Sequence, residues 1–160
     1  MKKLGIILLA FLFVMGKCKK ETPQDEPKAS FKVKTVNGSV VANNQEFTFT
    51  TTDTSANLVL LIQNTSSDPI KLKTKLVDVT GTDGSEMEFC FGNCYMGMTP
   101  NTAYPQNTDF TVNGNSTTPP DQVHYYNHYS GTCSYTIKIY QVDDDGDQVG
   151  DALTFKYVKQ

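Results

Sequence analysis

Between Ile70 and Leu76 the chain reads Ile-Lys-Leu-Lys-Thr-Lys-Leu. A period of two belongs to a strand with one buried and one wet face, and it cannot be laid on a helix. Ile70, Leu72, Thr74 and Leu76 fall on one side; Lys71, Lys73 and Lys75 fall on the other. The lysine side reads as a solvated sheet face that discourages edge pairing. A stripe for an anionic glycan is the functional alternative.

The rest of the chain from Phe31 onward follows the same habit. Short apolar or alternating runs are separated by Gly, Pro, Asn and Asp, with no sustained helical period. Residues 31–36 alternate, the chain resumes at 39–41 after Asn37-Gly38, and 46–52 carries Phe47 and Phe49 on one face. The run 57–63, Asn-Leu-Val-Leu-Leu-Ile-Gln, is apolar on both sides, which predicts a central strand between two packed layers. Shorter strands are expected at 86–89, 108–112 and 121–129. The chain closes with 134–142, the acidic turn 143–147 and 152–158, placing Ile137 and Ile139 opposite Leu153, Phe155 and Tyr157. Seven to nine strands at this spacing predict an all-β, Ig-like antiparallel β-sandwich, with no internal repeat.

The beginning of the chain is different. Lys2 and Lys3 precede an apolar run from Leu4 to Met15, the charged and hydrophobic regions of an export signal. It is too short to span a bilayer, which needs roughly 20 apolar residues. No A-x-A-like cleavage site follows, but Cys18 stands just past the run. The stretch resembles a bacterial lipoprotein signal, with Gly16 in pattern and Lys17 where a small residue is usual. That resemblance implies cleavage before Cys18 and its lipidation. Each buried methylene adds about 0.8 kcal/mol of membrane affinity, so two or three acyl chains hold where one does not. We therefore divide the chain into a signal peptide (1–17), a disordered tether (18–30) rich in charge and proline, and one sandwich domain (31–160).

Composition narrows the partners. All basic residues are lysines, and losing the three that precede Cys18 takes the formal charge from −3 to −6. That argues against nucleic acid, whose recognition rests on positive charge and on the arginine fork. Neutral ligands, cations and proteins remain open.

Few residues could carry chemistry. Cys90-Phe91-Gly92-Asn93-Cys94 would hold its thiols about 13 Å apart if extended, but Gly92 and Asn93 suit a tight turn that brings them together. Export to an oxidising compartment then favours a disulfide; a redox-active pair is the rival, although three residues intervene where redox motifs have two. Cys133 is left either as a buried free thiol or as an intermolecular partner. His124, Tyr126 and His128 lie in Val-His-Tyr-Tyr-Asn-His-Tyr, with the two histidines on one strand face but about 13 Å apart, too far for one metal ion. They read as packed aromatics with polar tips or as an aromatic platform for sugar rings. Copper held with Met96 and Met98 would need a bend, so no metal and no cofactor is expected. The 143–147 run lacks the later glutamate and the helices of a calcium loop. There is no nucleophile elbow, phosphate loop or HExxH, so no enzyme is expected.

Taken together, residues 61–70, Phe89-Cys90 with Cys94-Tyr95, Val123-His124-Tyr125 and Ile137-Lys138-Ile139-Tyr140 resemble a recurrent Ig-like or fibronectin-like sandwich of Bacteroidetes exported proteins, over about 31–158. The tryptophan such domains often carry before the first cysteine is missing, since the chain has none. With no sorting domain after Val158, the N-terminal lipid is the expected anchor, to the outer membrane on its surface or periplasmic side. The resemblance implies a non-catalytic binding or adhesion module for a protein or glycan; a glycan-binding part of a polysaccharide-utilisation system and a metal- or redox-active envelope protein are the alternatives.

Overall fold

The computed structural model describes residues 30–53 and 56–160. The signal, Cys18 and nearly all of the tether therefore lie outside the described residues. Those described form eleven strands: β1 (Phe31–Thr35), β2 (Gln45–Phe49), β3 (Asn57–Asn64), β4 (Ile70–Thr80), β5 (Met87–Phe91), β6 (Asn93–Met96), β7 (Ala103–Tyr104), β8 (Phe110–Val112), β9 (Val123–Asn127), β10 (Cys133–Val142) and β11 (Gln148–Lys159). One sheet has five strands in the order β1-β3-β9-β5-β6; the other has six, ordered β2-β11-β10-β4-β7, with β8 also on β4. The fold is the expected Ig-like β-sandwich.

Alternation decides which side chains fill the space between the layers. Leu58, Leu60 and Ile62 of β3, Phe89 of β5 and Tyr125 of β9 come from one sheet. Leu72 and Leu76 of β4, Tyr135, Ile137 and Ile139 of β10, and Phe155 and Tyr157 of β11 come from the other. Fully burying one such side chain is worth about 1.5–3 kcal/mol, so this layer is the main source of stability. As expected across the acidic turn, Ile137 pairs with Phe155 and Ile139 with Leu153. Phe47 and Phe49 of β2 close one flank by packing on Phe155 and Tyr157. The three core tyrosines keep their hydroxyls satisfied: Tyr125 with Thr74 Oγ1 (3.0 Å), Tyr135 donating to Asn127 Oδ1 (3.2 Å), and Tyr157 donating to the carbonyl of Ala56 (2.6 Å).

Four expectations need correction. Eleven strands replace seven to nine, the surplus coming mainly from β6, the return arm of the cysteine turn, and from the two-residue β7. Not every pairing is antiparallel, because β2 runs parallel to β11. Residues 39–41 form no strand; Val40 makes only an isolated bridge to Lys34. Finally, β3 is not covered on both sides. Val59 and Leu61 sit half-buried on an outer face, since the fold has two layers and a strand in either keeps one side toward solvent.

Candidate functional site

The outer face of the five-stranded sheet gathers most of the residues singled out by sequence. Strand β9 is its centre, with β3 on one side and β5 on the other. Val123, Tyr125 and Asn127 point into the core, so His124 and Tyr126 point out. Across the strands His124 lies between Val59 and Cys90, and Tyr126 between Asn57 and Glu88. His128, just past the end of β9, stays on this side. Its backbone N–H donates to the carbonyl of Glu86 (3.0 Å), and its Nε2 lies 2.7 Å from Glu88 Oε2. Its ring meets Tyr126 edge-on, with centroids 4.6 Å apart. Met96 of β6 is paired with Glu88 and is 65% exposed. The result is a shallow platform of rings and aliphatic groups with the Glu88 carboxylate between Tyr126 and Met96, suited to stacking an apolar surface while bonding to its polar edge.

Cys90 and Cys94 form a disulfide, with Cα atoms 3.9 Å apart. They face each other across the β5–β6 hairpin, and Gly92 at its apex has a φ of 74°. A Cβ there would lie 2.7 Å from the Phe110 ring, so the turn requires glycine. The two methionines considered as copper ligands part company: Met98 is buried in the core and Met96 is exposed. Among the described residues no group of three or more His, Cys, Asp or Glu is placed to hold a metal ion.

The opposite outer face, on the six-stranded sheet, carries the lysine stripe. Lys71 pairs with Asp144 (2.9 Å) and Asp109 (3.5 Å), and Lys73 with Asp109 (3.1 Å). Lys73 also donates to the carbonyls of Pro105 (2.6 Å) and Thr108. Lys75 and Lys138 flank the ring of Tyr140, 5.9 and 5.3 Å from its centroid. Burial, aided by the facing Lys75, lowers the pKa of Lys138. In the acidic turn, Asp143 accepts hydrogen bonds from the amides of Asp145 (3.0 Å) and Asp147 (2.9 Å), which closes the hairpin.

Sequence reading missed a buried polar knot beneath the platform. Asn127 donates to Cys133 Sγ (2.8 Å) and accepts from the amide of Tyr129 (3.0 Å) and the hydroxyl of Tyr135. Lys159, only 5% exposed, donates to the carbonyls of Tyr129 (2.7 Å) and Asn127 (3.3 Å). These bonds tie the 127–133 loop to the last strand. Cys133 is a buried free thiol, and burial pushes its pKa up, which makes it a poor nucleophile and leaves it sealed from other chains. The one available signal was Lys159 itself, at a position where the alternation of β11 calls for an inward residue.

A concavity of about 520 Å³ opens where the edges of the two sheets part, beside β6. Tyr95, Met98, Tyr104 and Gln106 line it, and Asp83 is the one charged residue in its wall.

No protein-family model matches the chain, and no curated protein matches it. Solved structures do. The N-terminal domain of PorA is similar with a TM-score of 0.51 and 14% identity, over 81% of this chain and 97% of that one. The ASH/PapD-like domain 7 of human CEP192 is similar with a TM-score of 0.50 and 10% identity, over 99% of this chain and 96% of that one. The shared property is the sandwich. At these identities the likeness speaks for the fold alone.

Proposed function

We propose that this protein is a lipid-anchored β-sandwich of the cell envelope that works as a non-catalytic binding module. Its ligand face is the outer surface of the five-stranded sheet, centred on His124, Tyr126 and His128. The observation that carries this reading is the contrast between the two outer faces among the described residues: on one, Lys71 and Lys73 are tied to acids and Lys75 and Lys138 flank Tyr140, while the other offers the Tyr126–His128 pair, Val59, Leu61 and Met96. Cys18, with acyl chains in the outer membrane, and the tether to residue 30 would hold that face near a bilayer surface. The anchor is tested by blocking lipoprotein processing with globomycin. Accumulation of the uncleaved precursor supports it, and normal maturation defeats it.

A glycan is the second reading, favoured by the perpendicular Tyr126–His128 pair beside the Glu88 carboxylate. A stacked aromatic contact is worth about 0.5–1.5 kcal/mol, so Tyr126→Ala should weaken a bound oligosaccharide roughly two- to tenfold. A glycan array without a binder leaves the protein-ligand reading and removes this one.

A further inference from the structure

The geometry points to a second docking site: we propose that the free edge of β6, with the cleft beside it, adds an extended segment of another protein as an extra strand and takes a lysine or arginine of that segment toward Asp83. Among the described residues, strand β6 is an edge of the five-stranded sheet. The phase of its pairing is set by Gly97, whose N–H donates to the carbonyl of Met87 (2.8 Å). Bonded and non-bonded pairs alternate along an antiparallel ladder. With the register Glu88–Met96, Phe89–Tyr95 and Cys90–Cys94, Tyr95 therefore exchanges bonds with β5, whereas the N–H and C=O of Cys94 and Met96 point away from it. The 3.9 Å Cα separation of Cys90 and Cys94 agrees, because non-bonded pairs approach more closely.

Natural edge strands are guarded by lysine, proline or a covering loop. β1 at the other edge of this sheet carries Lys32 and Lys34, whereas β6 reads Asn-Cys-Tyr-Met. Main-chain pairing gives such an added strand its affinity, and pockets for alternate side chains give its specificity. Here the pocket is the 520 Å³ cleft, walled by Tyr95 and Tyr104, whose rings meet at 5.1 Å. Its charge selects the side chain. Asp83 takes the amide and hydroxyl of Ser85 on Oδ1 (2.9 and 2.6 Å). Those bonds hold the carboxyl below its usual range, and the residue stays exposed to solvent. Asp83 is the one charged residue lining the cleft, beside Met96 and Gly97. Two copies of this chain meeting at β6 would bring their Asp83 carboxylates toward each other, which disfavours self-pairing and favours a cationic partner.

The test uses the purified domain with its disulfide intact and a fluorescent seven-residue peptide alternating lysine and valine. Its glutamine-for-lysine counterpart and a lysine version N-methylated at alternate amides are the comparison probes. The lysine peptide should bind with anisotropy saturating, the N-methylated one at least about tenfold more weakly. Asp83→Asn, which keeps the acceptor for Ser85, should weaken the lysine peptide about tenfold and leave the glutamine peptide unchanged. Met96→Pro removes an edge donor without removing a bond to β5 and should act like N-methylation. Equal binding of the N-methylated peptide, no binding of the lysine peptide, or a dimer of the free protein that Met96→Pro dissolves would each overturn the proposal.

Discussion

The two outer faces of this sandwich are built by one rule, yet the strands at their centres end up chemically different. On the six-stranded sheet the outward residues of β4 are lysines, and acids from the β8 approach and the β10–β11 turn reach over to meet two of them. On the five-stranded sheet the outward residues of β3 and β9 are Asn57, Val59, Leu61, Gln63, His124 and Tyr126, and beside them Glu88 meets the ring of His128 in an exposed contact. Alternation guarantees that half the side chains face out. It leaves their chemistry free, and that freedom is where a binding surface can be placed without disturbing the core.

Both faces ride on one core cluster, to which the two sheets contribute. Phe155→Ala should therefore cost about 3–5 kcal/mol and lower the urea midpoint in a single transition; two separate transitions would show that the faces belong to independent units. Lys73→Met, which strands the carbonyls of Pro105 and Thr108 as well as Asp109, should cost about 1.5–3 kcal/mol without touching ligand binding. Loss of binding in that variant would put the ligand on the wrong face.

Smaller effects sharpen the contrast. Replacing both Cys90 and Cys94 by serine opens a short loop and should remove at most about 2 kcal/mol, read from thermal unfolding. Tyr126→Ala should reverse the pattern of Lys73→Met, with stability changed by less than about 1 kcal/mol and binding weakened. The smallest effect belongs to the exposed Lys71–Asp144 pair. The Lys71 hydrogen bond and charge hold Asp144 below the usual carboxylate range, so the pair's contribution is present above the ordinary aspartate pKa and fades as pH falls through the depressed folded value. Lys71→Ala should flatten that acid limb only slightly in a pH series of thermal midpoints.

Much of the fold was legible because it is local. Ile137 and Ile139 announce their partners through a period shared on both sides of one acidic turn, and the Cys90–Cys94 pair sits in its own hairpin. The parallel pairing of β2 with β11 was not legible, since strands joined from opposite ends of the domain leave no adjacent pattern. Nor was the exposure of Val59 and Leu61, because periodicity says which residues share a side and not what lies over it. The platform was half visible: His124 and Tyr126 share a face by alternation, but the closing of His128 onto Tyr126 and Glu88 depends on the loop after β9.

By itself, then, the order of residues determined an all-β chain, its main strands, the side of each strand that avoids water and the turn that closes one disulfide. All of these follow from steric and hydrophobic preferences acting within a few residues. Only the tertiary structure decided that the Cys133 thiol is sealed beside Asn127, that the Lys159 amine is buried on carbonyls, and that Met96 and Asp83 border one open edge. Such neighbours are brought together by the closing of two sheets, and contacts made at that distance along the chain carry no signature in either segment alone.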